Sequence, residues 1–176
     1  VTNEIDGMKA NDRATVENDV YVDSPASFVY FLVAPTLCYQ PSYPTCQDGI
    51  RQLYLAKNGL RLVSCFAAMY VISTQFIYPT LRNAVVPMAQ RNVFAIAERI
   101  VKLSVSSLGA WLIGFYAIFH CWLNMVAELT GFADRNFYQD WWNAGSIEEY
   151  WRLWNVPVHT WLKRHMYRPL RKRGCP

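Results

Sequence analysis

Three histidines, His120, His159 and His165, are the side chains of this sequence best suited to moving protons near neutral pH. His120 lies inside a long uncharged run, and an ionisable group at such a depth is a functional candidate by default. The competing reading is a hydrogen-bonded packing histidine, with Asn124 one helical turn further on as its partner. Glu128, just past the run, ends the same helix. Cys121 follows His120 directly and would leave a helix on a different face, so a Cys–His nucleophile gains no support. Neither a Gly-x-Ser-x-Gly elbow nor a phosphate-cradling glycine loop occurs. The five cysteines (38, 46, 65, 121 and 175) are odd in number and contain no C-x-x-C, which argues against a disulfide framework and against a metal site.

The second chemical feature is aromatic and cationic. Five of the seven tryptophans fall between 141 and 161, within FYQDWWNAGSIEEYWRLWNVPVHTWLKRHMYR (137–168). Ser146-Ile-Glu-Glu149 has capping-box spacing and predicts a helix start. Ile147, Tyr150, Trp151, Trp154, Val158 and Trp161 then recur at helical steps. Pro157 disfavours helical geometry at Val156, so two short helices should meet at Asn155-Val156-Pro157 within about 146–168. Arg152, Lys163, Arg164 and Arg168 collect opposite the aromatics, the pattern of a helix lying along a membrane interface.

These groups must be held by apolar elements. The chain has 176 residues, 53% hydrophobic and 17% charged, against roughly 25% charged for an average domain. Leu62–Leu81 and Leu103–Ala127 contain no Asp, Glu, Lys or Arg over 20 and 25 residues. About 20 helical residues cross a roughly 30 Å hydrocarbon core, so both predict membrane spans. The first is the more polar (Ser64, Ser73, Thr74, Gln75), which suits a protein-facing position. Pro25, Pro35, Pro41 and Pro44 divide the uncharged interval 24–47 into a short apolar piece, Ala26–Val33, and a loop. Residues 83–102 suggest an amphipathic helix. Charge is sorted coarsely: residues 1–23 carry six acids and two bases and read as a mobile tail, whereas 150–173 carry seven bases and no acid. An all-α integral membrane protein is the expected fold class.

Phe137–Asn143, FYQDWWN, resembles the F-Y-x-D-W-W-N signature of membrane-bound O-acyltransferases that esterify neutral lipids. FLVAPTLCY (31–39), ERIVKLSV (98–105), HCWLNMVAEL (120–129) and WNVPVHTWLKRHMYRPL (154–170) are similar to the acyl-CoA:diacylglycerol acyltransferase type 1 branch of that family. The resemblance covers about 24–176 and implies part of a multi-helix membrane bundle around a chamber, for whose lining His120, Asn124 and Glu128 are candidates. It also implies a multi-pass protein of the endoplasmic reticulum membrane, assembled as a homodimer or homotetramer. The activity it implies is acyl transfer from acyl-CoA, a co-substrate, to diacylglycerol, giving triacylglycerol without a cofactor, a metal or a nucleic-acid partner. Two alternatives stay open: a sterol acyltransferase, whose branch shares the heptapeptide, and a non-catalytic membrane-anchored scaffold.

The resemblance also implies roles. Asn155 matches the family's active-site asparagine. Phe137, Tyr138, Asp140, Trp141, Trp142 and Asn143, with Trp154, His159 and Tyr167, match the acyl-CoA-binding region. Within it Trp141 and Trp142 would wall the acyl path, Asp140 would orient tryptophan or backbone donors, and the bases of 163–173 with Tyr167 would meet phosphate and adenine. The family's general-base histidine belongs to a buried segment a few dozen residues beyond W-N-x-P-V-H, past Pro176. The 176-residue chain alone is therefore expected to be inactive.

Overall fold

The computed structural model describes residues 25–40, 43–46 and 49–174, so the expected acidic tail at 1–23 lies outside the described residues. Among the described residues the architecture is all helical, with no strand and one isolated antiparallel bridge between Thr45 and Phe132. The chain divides into two compact units: Ala56–Trp122, and the segments on either side of it.

Two long helical stretches, Gln52–Ala89 and Val93–Thr130, dominate the sequence. The first comprises α2 (Gln52–Ile72), a wide π-helical turn at Ser73–Ile77, α3 (Tyr78–Arg82) and α4 (Val85–Ala89). The second comprises α5 (Val93–Phe115), a π-helical stretch at Tyr116–Trp122, and α6 (Leu123–Thr130). Each stretch has 38 residues, with mean hydropathy 1.5 and 1.4 in its most apolar window. Both are long and apolar enough to cross a membrane. At about 1.5 Å per residue, 38 residues reach about 57 Å, well beyond the hydrocarbon thickness. The expected spans thus lie within helices that continue past them. Flanking charges mark where an apolar run ends, but Lys, Arg and Gln are good helix formers and do not stop the helix.

The amphipathic helix suggested over 83–102 is divided at Arg91–Asn92. There the first stretch ends in a Schellman-type cap, in which Arg91 N–H donates to Met88 O (3.2 Å) and Asn92 N–H to Pro87 O (3.0 Å). Arg91 occupies the left-handed region (φ 52°) that this cap requires. Asn92 then caps α5 by accepting from Ala95 N–H at 3.2 Å. Residues 93–102 are the first turns of α5 rather than a helix of their own. Two of the hydroxyls expected to face protein are satisfied within the helix: Ser64 donates to Leu60 O (2.9 Å) and Thr74 to Tyr70 O (2.9 Å). Two of the π turns precede prolines. Pro79 and Pro169 cannot donate to the carbonyl four residues back, and the widened turns close with Tyr78 N–H on Ser73 O and Arg168 N–H on Lys163 O.

The flanking unit holds α1 (Pro25–Val33), α6, a 3₁₀ turn at Trp141–Asn143, α7 (Ile147–Leu153), α8 (Val156–Leu162), a π turn at Lys163–Tyr167 and α9 (Arg168–Lys172). α1 and the proline-divided loop after it match the short apolar piece expected there. Tyr43 is 1% exposed, donates to Cys38 O (3.2 Å), accepts from Gln40 N–H (2.9 Å), and sits among the rings of Tyr30, Phe31 and Phe132. α6 ends at Gly131 (φ 64°), with Phe132 N–H on Ala127 O. From there Cys46 N–H bonds Gly131 O (2.8 Å) and Ala133 N–H bonds Pro44 O (3.0 Å), which sets the entry to the signature segment.

Candidate active site

The heptapeptide is strapped to the junction between α7 and α8. Phe137, 2% exposed, accepts from Val156 N–H through its carbonyl (3.1 Å), and Gln139 N–H donates to Leu153 O (2.8 Å). The two bonds bracket Trp154 and Asn155. Beyond them the chain turns into the short 3₁₀ segment, with Trp141 N–H on Gln139 O and Asn143 N–H on Asp140 O. Trp141 meets Trp142 edge-on at 5.7 Å and Tyr150 edge-on at 5.8 Å, while Tyr150 stacks parallel to Trp154 at 6.4 Å. The stripe expected to be one apolar face is therefore split. Tyr150 and Trp154 pack inward with Trp141, and Ile147 and Trp151 remain exposed.

Asp140 precedes the 3₁₀ turn. It is exposed, and its carboxylate makes no capping bond to the turn it precedes; its backbone carbonyl receives Asn143 N–H instead. Asn143 is exposed as well, Tyr138 is half-buried, and the Tyr138 and Trp142 rings lie 6.5 Å apart.

The capping box at Ser146 forms with one change of register. Ser146 Oγ accepts from Glu149 N–H (3.1 Å), but the Glu149 carboxylate returns to Gly145 N–H (2.9 Å), one residue before the cap. Asn155 is the cap of α8: Oδ1 accepts from Val158 N–H at 3.2 Å. Pro157 in the first turn has no N–H, so the cap reaches the next donor. The cap satisfies an amide donor, not a helix-end carbonyl, and uses only the oxygen of the side chain. The NH₂ half of the amide, which carries two donor protons, takes no part in it. Asn155 is half-buried, and His159, one turn along α8, is half-buried too.

From Trp161 onward every described residue is exposed. Lys163, Arg164, Tyr167, Arg168, Arg171 and Lys172 line an open cleft of about 710 Å³, suited by charge to a polyanion. A second open cleft of about 530 Å³ lies against Trp141, Trp142, Ile147 and Tyr150.

His120 falls in the π-helical stretch and stacks on the Tyr116 ring at 4.7 Å. Asn124 is buried. Glu128, 6% exposed, has both carboxylate oxygens engaged. Oε1 accepts from the backbone N–H of Arg51 (2.8 Å) and from Arg51 Nε (3.0 Å); Oε2 accepts from Arg51 Nη2 (2.9 Å) and lies 2.8 Å from Arg135 Nη2. The Tyr54 ring lies beside both guanidinium groups, 4.8 and 5.8 Å from their centres. Sequence reasoning did not find Arg51, Tyr54 or Arg135. Arg51 is 77 residues from Glu128, and nothing in a single sequence signals that pairing. Arg135, seven residues on, was open to detection as the counter-ion a buried acid requires. Among the described residues no group of three His, Cys, Asp or Glu side chains could hold a metal ion.

Residues 20–175 match the family described as MBOAT, membrane-bound O-acyltransferase family. The chain belongs to the membrane-bound O-acyltransferase family. It is 50% identical over 150 residues to diacylglycerol O-acyltransferase 1A of Glycine max, covering 85% of this chain and 30% of that protein. It is 48% identical over 167 residues to diacylglycerol O-acyltransferase 1 of Arabidopsis thaliana (95% and 32%), and 48% identical over 174 residues to diacylglycerol O-acyltransferase 1 of Corylus americana (96% and 32%). The chain thus spans about a third of the length of the curated relatives it matches. As a member of that family with two helices long and apolar enough to span, it is a membrane protein.

Proposed function

We propose that this chain serves acyl transfer from acyl-CoA to the free hydroxyl of diacylglycerol, forming triacylglycerol, in the endoplasmic reticulum membrane. Residues 24–176 act as part of one membrane-embedded domain, crossing at about 62–81 and 103–127, with 146–168 along the interface. The reading rests on one observation above all: two backbone hydrogen bonds lock the heptapeptide onto the corner where Asn155 caps α8 with its oxygen and keeps its NH₂ for another partner. That amide donates to the carbonyl oxygen of the acyl thioester as negative charge develops there, a neutral donor that avoids the cost of a buried cation. Trp141, Trp142 and Tyr150 wall the acyl and pantetheine path and exclude water, which would otherwise hydrolyse the thioester. The cations of the 163–172 cleft, with Tyr167, hold the phosphates and adenine of coenzyme A. The base that takes the hydroxyl proton is a histidine other than these three. His120 precedes the heptapeptide and stacks on Tyr116, and His159 and His165 lie along the basic stretch.

The test is an acyl-transfer assay in microsomes bearing the natural full-length polypeptide that carries this sequence, with labelled oleoyl-CoA and diacylglycerol, sterol or long-chain alcohol as acceptor. Label should enter triacylglycerol. Preferential entry into sterol ester moves the acceptor to the sterol branch, and no transfer by membrane-retained protein leaves the scaffold reading. Organelle fractionation tests the endoplasmic reticulum assignment, and cross-linking tests the homodimer or homotetramer.

A further inference from the structure

The buried Glu128 carboxylate receives hydrogen bonds or ion pairs from two directions, and the two have different consequences. Arg51, half-exposed, ties it to the residues just before α2. Arg135, whose side chain is 11% exposed, ties it to the segment that enters the heptapeptide. From Arg135 the connection to the proposed reacting centre is short. Phe137 N–H bonds the Arg135 carbonyl (2.9 Å), and Phe137 O receives Val156 N–H (3.1 Å), the peptide next to Asn155. Arg135 Nε also reaches Phe132 O at 3.4 Å, so the guanidinium is held on the loop it positions. A buried ion pair is weak support for stability, because removing two charges from water offsets most of their attraction; fixing register is its best-attested use.

We propose that Glu128 and Arg135 are positioning residues for Asn155: their buried ion pair fixes the heptapeptide, and the heptapeptide fixes the corner that carries the Asn155 amide. The inference rests on the role proposed above for Asn155. A misplacement of about 1 Å at a reacting centre costs on the order of 10²-fold in rate, so small shifts along this chain of bonds are visible in kcat.

The test is a double-mutant cycle in the natural full-length polypeptide, with kcat expressed per folded protein from fluorescence-detected size exclusion. Arg135→Lys keeps the charge but loses the planar fork. It should lower kcat by roughly tenfold or more in the wild-type background, and by less than about twofold when Asn155→Ala is already present. Arg51→Lys, which touches the same carboxylate but not the heptapeptide, should cost less than about threefold. Should Arg135→Lys fail to accumulate, Glu128→Asp replaces it in the same cycle. Losses that multiply with those of Asn155→Ala overturn the positioning role alone, as does an Arg51→Lys loss equal to that of Arg135→Lys. Wild-type turnover by Asn155→Ala overturns the functional reading, and this inference with it.

Discussion

Replacing Asn155 by Asp separates the two halves of its side chain. Aspartate has nearly the shape of asparagine and caps helices about as well, so the acceptor facing Val158 N–H at 3.2 Å is kept while both amide donors are lost. Asn155→Ala loses both functions. Loss of a cap costs about 1 kcal/mol, within a range of roughly 0.5–2. Loss of one donor to a developing oxyanion costs about 10²–10³ in kcat, or about 2.7–4 kcal/mol of barrier. Asn155→Asp should therefore melt in detergent close to the wild type yet turn over at least about a hundredfold more slowly, while Asn155→Ala should be equally slow and also less stable. The assay pairs labelled triacylglycerol formation in microsomes with a thermal melt of the solubilised protein. Wild-type turnover by Asn155→Asp would show that the amide donors are not used, and an Asp variant as unstable as Ala would remove the cap from the argument.

Gly131→Ala forces a side chain into left-handed backbone and places Cβ 3.3 Å from Cys46 O, so the melting transition should fall by the equivalent of about 1–2 kcal/mol; an unchanged melt would refute the strain. Phe137→Ala empties a buried site under the strap and should cost about 3–5 kcal/mol, seen as loss of folded protein on size exclusion; full recovery would show that the site collapses without it. Reversing Arg164, Arg168 and Lys172 together to Glu should raise KM for acyl-CoA and weaken its salt dependence while changing kcat little; an unaltered KM would leave those cations to the bilayer. Alkaline carbonate should leave the protein in the membrane pellet, and release into the supernatant would contradict the spanning reading.

Features governed by neighbours in the chain were legible before the structure. Ser146, Glu149, Asn155 and Pro157 act within one helical turn of themselves, so caps and the break between α7 and α8 follow from local donors and acceptors. The uncharged runs announced two helices of spanning length, because no polar group can be left unpaired in hydrocarbon. Those helices continue past the runs at both ends, since a charge that ends an apolar run leaves the helical hydrogen bonds intact. Two of the three described π turns had a local signal in Pro79 and Pro169, which deprive a carbonyl of its donor.

The family was also readable from one sequence, because the FYQDWWN heptapeptide and the blocks around it are contiguous text. What single-chain text could not supply is pairing across distance. The strap from Phe137 and Gln139 to Val156 and Leu153, the Tyr43 loop against the Gly131 cap, and the grip of Arg51 and Arg135 on Glu128 all join residues that no periodicity relates. Tertiary structure likewise divided one helical stripe into Tyr150 and Trp154 facing inward and Ile147 and Trp151 facing out. Helical spacing states which residues share a face; only the surface packed against that face decides which of them are covered.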